Sequence, residues 1–173
     1  LISDEADSQP TIAQKRKTMA ATYKALLAIF NHRKLGKKWK LQVYMAVVIA
    51  QLLYGIETCW TSAAQLNSLE VLYHKHIRAI AGYKHPFFAA TNKSNQDILF
   101  ELQAHNLNNI IFAQHFKMLG HVARLPLTNL ARKLTFDSRM FPVKSSFKQG
   151  KPRTTWQTFA MQAAEDHFYA FQH

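Results

Sequence analysis

Histidine and cysteine are the first residue types to consider, because their side chains bind metals and act as bases or nucleophiles. The 173-residue chain has nine histidines and one cysteine. His74 and His76 are two residues apart, so on a helix they point in different directions and cannot share a metal ion. His115 and His121 are six apart and also lie off a common face. Cys59 has no second cysteine to pair with, so no internal disulfide is expected. From the spacing of the histidines we predict that they are packed or surface residues, and that the chain binds no metal and no cofactor.

The acidic residues do not form a catalytic pair either. Metal-dependent phosphoryl chemistry needs two or more carboxylates that converge on one ion. Asp4 and Asp7 belong to the polar start of the chain, and the adjacent Glu165 and Asp166 diverge on a helix. The five glycines are isolated, so the chain has no glycine-rich phosphate loop. We predict that the chain is not an enzyme, and we expect no small-molecule substrate.

The charge balance indicates a binding function instead. Lysine and arginine number 22 against ten acids, which gives a net charge of +12 and a pI of about 10.0. Nine of the bases fall in the acid-free interval 15–40, and two more acid-free intervals follow at 102–136 and 139–153. Such a surplus indicates a polyanionic partner, most often nucleic acid. The alternative is the solvated basic face of a soluble protein.

Helices must position these charges, because apolar residues recur every three or four positions along most of the chain. We expect helices at 11–30, 38–54, 62–82, 95–105 and 107–123, with a further turn or two at 127–134. The predicted fold is all-α: a polar segment at 1–10, a compact helical bundle at 11–136, an extended basic arm at 137–153 and a C-terminal helix at 154–173. The helix at 38–54 is apolar nearly all round, and its valines and isoleucines leave a strand as the alternative.

Several local signals are specific. Ser62 followed by Gln65 has the spacing of a capping box, and Gly82 supplies a left-handed helix end. The most apolar stretch, 41–54, is too short to span a bilayer, so no membrane association is expected. The tryptophans are predicted to be core anchors in preference to platforms for base stacking; they are Trp39, Trp60 and Trp156.

Five short segments, in chain order, resemble the C-terminal part of reverse transcriptases from non-LTR (LINE-like) retrotransposons. They are 41–60 (LQVYMAVVIAQLLYGIETCW), 65–82 (QLNSLEVLYHKHIRAIAG), 91–99 (TNKSNQDIL), 118–126 (MLGHVARLP) and 150–156 (GKPRTTW). The family shows in the same order a helix ending in LLYG-E-W, an L-x-x-Q-x-x-x-L-R-x-I-x-G helix, and the elements R-x-T-N-x-D-L-L, W-L-G-H-V-x-R-M-P and G-R-P-x-x-x-W. The similarity covers about 15–156. The departures are YHKHI at 73–77 and Met118 in place of an aromatic residue.

The resemblance implies the thumb and the region beyond it, which grip template RNA and the RNA–DNA duplex. The family's catalytic aspartates lie in an upstream Y/F-x-D-D element that is absent here, so polymerase chemistry does not come from these residues. The family's Cys/His knuckle is absent as well. The resemblance therefore implies RNA binding without catalysis.

Basic side chains are the expected contacts to RNA, because lysine and arginine neutralise phosphates regardless of base sequence. His121 and Arg124 are three apart and share a helix face, although His121 equally fits a helix end favoured by the dipole. The candidate nucleic-acid-binding residues are Lys15, Lys17, Lys24, Arg33, Lys34, Lys37, Lys38, Lys40, Lys75, Arg78, His121, Arg124, Lys144, Lys148, Lys151 and Arg153.

Three functions remain open at this point. The first is a non-catalytic RNA-binding scaffold of a ribonucleoprotein, such as an organellar ribosome, that also contacts neighbouring proteins. It places the chain in mitochondria or another organelle in preference to the nucleus. The second is the RNA-gripping C-terminal portion of an active retroelement polymerase. The third is a protein-interaction subunit of a large complex, with incidental basic charge.

Overall fold

The computed structural model describes residues 8–59, 61–83 and 93–137. These residues are mostly helical and contain no β-strand, so the predicted all-α class is confirmed. The predicted basic arm, beyond Asp137, and the predicted helix at 154–173 lie outside the described residues. The described part of the chain forms two compact units. The first contains 8–54, 61–83 and 93–110, and the second contains 55–59 and 111–137.

The α-helices are α1 (Ser8–Ala25), α2 (Leu27–Asn31), α3 (Lys37–Val43), α4 (Ala50–Leu53), α5 (Ala63–Ala81), α6 (Asn95–Leu102), α7 (Leu107–Arg124) and α8 (Leu130–Thr135). A 3-10 turn, Ile56–Thr58, precedes α5. The predicted helix at 11–30 is divided at Leu26, whose φ of −94° and ψ of 7° interrupt the α conformation. The alternative of a strand at 38–54 is wrong, because residues 38–53 are helical.

The helix at 37–53 contains a segment with a wider backbone spiral. α3 passes into a π-helical segment, Tyr44–Ile49, which continues directly into α4. A π turn closes its hydrogen bonds from i to i+5 and accommodates one more residue than an α turn. It places Tyr44, Val48 and Ile49 in the core, while Val47 is exposed. The helix is therefore buried along one side, and not all round as its composition indicates.

The caps of α5 and α6 are formed by short-range signals. The Gln65 amide N–H donates to Ser62 Oγ at 3.3 Å, and the Ser62 N–H donates to Gln65 Oε1 at 2.8 Å. Gly82 ends the helix with φ at 95°, so the predicted start and end of α5 are confirmed. Ser94 and Asp97 form a second capping box at the start of α6, which the sequence interpretation did not include.

The core of the first unit lies between α1, the helix at 37–53, α5 and α6. Fully buried aliphatic side chains come from each of these elements, as the spacing of three or four residues requires. They include Ile12, Met19, Val48, Ile49, Leu52, Leu69, Ile77 and Ile98. Leu27, the first residue of α2, is 36% exposed and follows the interruption at Leu26.

A cluster of aromatic rings crosses this core and includes a buried histidine. The His76 ring stacks on Tyr23 with ring centres 3.8 Å apart, and its Nδ1 lies 3.2 Å from the Tyr44 hydroxyl. Burial lowers the pKa of His76 to about 4, and the neighbouring Lys75 charge lowers it further. Burial also raises the pKa of Tyr44 well above its ordinary value. His76 is therefore a neutral, packed side chain near pH 7.

The second unit has its own buried histidine. His115 is completely buried, with Nδ1 3.0 Å from the Ile111 carbonyl oxygen and Nε2 3.1 Å from the Cys59 carbonyl oxygen. These contacts join the turn at 56–59 to α7. Val122 and Phe136 are also buried in this unit.

Candidate nucleic-acid interface

The described ranges contain neither a candidate metal site nor a candidate membrane-spanning helix. In residues 8–59, 61–83 and 93–137, no three histidine, cysteine or acidic side chains come together in a way that could hold an ion. None of the helices described for this chain combines the length and the apolar character needed to cross a membrane. The basic side chains are therefore the candidate functional groups to place.

The densest group of charges is the interval 33–40, which we call the basic segment. It covers the end of the loop after α2 and the first turn of α3, with Gly36 as the residue preceding the helix. Its charged residues are Arg33, Lys34, Lys37 and Lys38, which are exposed, and Lys40, which is half-buried. The sequence has no acid anywhere between Asp7 and Glu57. Only acids from distant parts of the chain can neutralise this segment.

Trp39 lies within the basic segment and is 46% exposed, so its assignment as a core anchor is wrong. The buried positions of this helix are Leu41, Tyr44 and Val48, and the side chain at position 39 lies off that stripe. A half-exposed indole has one part packed on the protein and another open to a planar partner. The predictions for Trp60 and Trp156 fall outside the described residues.

One distant acid does reach the basic segment. Glu101, on α6, accepts hydrogen bonds from Lys37 at 2.9 Å and Lys93 at 2.7 Å. The Tyr83 hydroxyl donates to the same carboxylate at 3.1 Å. Both ammonium groups also lie over the Tyr83 ring, at 5.6 and 5.4 Å from its centre. The hydrogen bonds from Lys93, Lys37 and Tyr83 lower the pKa of Glu101 to about 2, so it is ionised in this network near neutral pH.

The bases of α1 divide into two groups. Lys15 was a candidate contact to RNA, but its Nζ donates to the Leu52 carbonyl at 3.2 Å and the Tyr54 carbonyl at 2.5 Å. These carbonyls lie at the end of α4, where helix carbonyls lack partners within the helix. Lys15 therefore stabilises a helix end. Lys17 and Lys24 are exposed.

The two candidate bases of α5 also differ. Lys75 is exposed. Arg78 donates through one guanidinium nitrogen to the Lys93 carbonyl at 3.2 Å and to Asn95 Oδ1 at 3.0 Å. Arg78 thus joins the end of α5 to the start of α6, and this structural role accounts for its position.

The remaining candidates lie later in the chain. His121 and Arg124 are both exposed on the last turn of α7, where positive charge is favoured by the helix dipole. They belong to the second unit, whereas the basic segment belongs to the first. The other four candidates, Lys144, Lys148, Lys151 and Arg153, lie outside the described residues.

Sequence reasoning missed the partners of the basic segment. Glu101 and Gln103 lie more than 60 residues along the chain from the lysines they contact. Lys93 is also part of the network and was not a candidate. No local pattern encodes these pairings, because they depend on how α3 and α6 pack.

Comparison of the chain with protein-family models, with curated protein sequences and with solved structures finds no match in any of the three.

Proposed function

We propose that this chain is a non-catalytic RNA-binding module that acts as a scaffold component of a ribonucleoprotein, for example an organellar ribosome. The observation that carries the proposal is the basic segment: five cationic side chains and one half-exposed tryptophan within eight residues. The resemblance to the C-terminal region of retroelement reverse transcriptases supports the same class of partner.

The chemistry of the basic segment suits a nucleic-acid backbone. Each lysine or arginine that contacts a phosphate releases condensed counterions, which favours binding irrespective of base sequence. Arg33 and Lys34 are exposed, and Lys40, in the same basic segment, is half-buried. Trp39 adds a surface on which a base can stack, and such stacking tolerates any base.

Contacts with neighbouring proteins are also part of the proposal. The second unit exposes three leucines close together in sequence: Leu127 is 74% exposed, Leu130 69% and Leu134 65%. Leu130 and Leu134 are four residues apart on α8 and therefore share a face. Exposed apolar side chains grouped in this way are typical of surfaces that bind proteins.

The test of RNA binding uses two variants with equal loss of charge. Lys34→Gln with Lys40→Gln removes two charges from the basic segment, and Lys117→Gln with Lys133→Gln removes two exposed charges elsewhere. If two phosphate contacts are lost, the negative slope of log K against log salt for single-stranded RNA becomes shallower by about 1.4. This change corresponds to roughly 20-fold weaker binding at about 0.1 M salt. The control should bind like the wild-type chain. Equal slopes for all three proteins would remove the basic segment from the site.

The ribonucleoprotein part of the proposal needs the native protein. Gentle isolation with and without ribonuclease should recover the chain in a large particle that ribonuclease dissolves. Recovery within a longer polypeptide with polymerase activity would make it part of a retroelement enzyme instead. Recovery in a ribonuclease-resistant protein complex would contradict RNA binding.

A further inference from the structure

A groove on the first unit lies beside the basic segment, and three of its lining residues, Lys38, Glu101 and Gln103, take part in the contacts described above. Its volume is about 600 Å³, within the range of pockets that hold small ligands. The residues that line it are Lys38, Leu99, Phe100, Glu101, Gln103, Ala104 and His105. One wall is therefore α3, through Lys38, and the other is the end of α6 with the residues that follow it.

Phe100 is the most unusual residue of this groove. It is 88% exposed, while Leu99 beside it is 7% exposed. Phenylalanine has no polar atom that gains from hydration, so exposing nearly the whole ring forgoes the stabilisation that burial gives. The exposed ring offers a π face at the groove, and such a face binds planar groups by stacking.

Gln103 is the second notable residue of the groove. It ends α6 in the left-handed conformation, with φ at 55°, and it is the one non-glycine residue with positive φ among the described ranges. At the equivalent place after α5 the chain has Gly82, which adopts this conformation without a steric cost. The Gln103 N–H donates to the Phe100 carbonyl at 3.0 Å and the Ala104 N–H donates to the Leu99 carbonyl at 2.8 Å, so the left-handed residue closes the end of α6 and holds Gln103 at the groove. The glutamine contributes an amide to the groove, and its Oε1 accepts from Lys38 at 3.1 Å.

The chemistry of the lining matches one class of ligand. The Phe100 ring can stack on a nucleobase, and the Gln103 amide has both donors and an acceptor for the polar edge of a base. The Lys38 ammonium can contact a phosphate. The Glu101 carboxylate lies at the same groove, but the ammonium groups of Lys37 and Lys93 already neutralise it.

We propose that the groove between α3 and the end of α6 binds a single unpaired nucleotide, with its base on Phe100, its base edge at Gln103 and its phosphate at Lys38. This inference deepens the proposed function and rests on it, because the nucleotide is taken to be part of the RNA strand that the basic segment holds. In a duplex the bases are stacked and paired, so neither the face nor the Watson–Crick edge of a base is available. The groove therefore makes the chain prefer single-stranded RNA.

The test compares the full chain with two variants that each lose one exposed aromatic ring. Phe100→Ala removes the ring in the groove, and Tyr54→Ala removes a ring that is 85% exposed and does not line it. Affinities are measured by fluorescence anisotropy for a single-stranded RNA, for a fully paired RNA of equal phosphate number and, by competition, for free adenosine monophosphate.

Phe100→Ala should weaken single-strand binding by roughly 5- to 100-fold, the loss expected for one stacked base. It should leave duplex binding unchanged, and Tyr54→Ala should change neither single-strand binding nor duplex binding.

If adenosine monophosphate competes for the wild-type chain and not for Phe100→Ala, the groove binds free nucleotide as well, which also supports the site. If both variants bind single strands like the wild-type chain, the groove is not a nucleotide site, although the proposed function still stands. If the wild-type chain binds neither RNA, the proposed function fails, and the inference fails with it.

Discussion

Acidification should destabilise the first unit through His76. The imidazole is 4% exposed, stacks on Tyr23 and lies at hydrogen-bond distance from the Tyr44 hydroxyl. Burial is the main reason that its pKa falls from 6.5 to about 4, with a smaller contribution from the charge of Lys75. The imidazole of His76 therefore takes up a proton near pH 4 in the folded chain, whereas in the unfolded chain it takes up a proton near pH 6.5.

The sign and size of the effect follow from this difference. Because the unfolded state binds more protons between these two pKa values, the free energy of unfolding falls as the pH falls from about 6.5 to 4. Each unit of pKa difference corresponds to about 1.4 kcal/mol, so the complete loss is about 3 kcal/mol and the loss at about pH 5 is roughly 2 kcal/mol. That is a large share of the stability of a small domain.

Urea unfolding at about pH 7.5 and about pH 5 measures this loss. His76→Phe keeps a ring to stack on Tyr23 but cannot be protonated. The variant should be less stable at neutral pH by about 1–3 kcal/mol, because the buried Tyr44 hydroxyl loses its hydrogen-bond partner. Its stability should nevertheless fall by roughly 2 kcal/mol less on acidification than that of the wild-type chain.

His32→Gln is the matched control, because His32 is an exposed histidine of the same unit. It should retain the full pH dependence. The other histidine and carboxyl groups with shifted pKa values in the described residues, His74, Asp97 and Glu101, are common to all three proteins, so their contributions cancel in the comparison. Equal losses for the wild-type chain and His76→Phe would refute the conclusion that His76 is buried in its neutral form.

Two further predictions concern the surroundings of the groove. Glu101→Gln removes the charge that holds Lys37 and Lys93, so RNA binding should tighten. In titrations at several salt concentrations, the slope of log K against log salt should steepen by about 0.7 for each lysine that gains a phosphate. An unchanged slope would show that neither lysine reaches RNA. Gln103→Gly relieves the left-handed backbone and should raise the free energy of unfolding by about 1 kcal/mol while it weakens single-strand binding. Gln103→Ala keeps the strain and should weaken binding without the gain in stability, and a gain of equal size in urea unfolding would contradict this explanation.

Much of the fold could be predicted because its signals are local. The capping box of α5 involves Ser62 and Gln65, and its end requires only Gly82, so a few adjacent residues determine both boundaries. The apolar spacing of the helices is local in the same sense. The interruption at Leu26 and the π turn at Tyr44–Ile49 have no comparable signal in the adjacent residues.

The candidate site was less accessible to sequence reasoning. Charge density located the basic segment, but the exposure of Trp39 depends on which side of α3 meets the core. The groove depends on contacts over more than 60 residues, from Lys38 to Gln103. A glutamine at a helix end carries no sign of left-handed backbone, since glycine is the usual residue there. These features required the three-dimensional structure.

The π turn also bears on the direction in which the basic segment faces. A π turn holds one residue more than an α turn for about the same rotation, so Tyr44–Ile49 takes up an extra residue within the helix at 37–53. Deleting one residue within Tyr44–Ile49 should therefore replace the π turn by an α turn and leave α3 and α4 in nearly the same rotational relation. Deleting one residue of α4 would instead turn α3 by about 100° relative to the residues that follow, and Trp39 and its lysines would then face another way with every surface residue still present. The orientation of this surface thus tolerates a change of length in the π turn but not in the α-helix next to it.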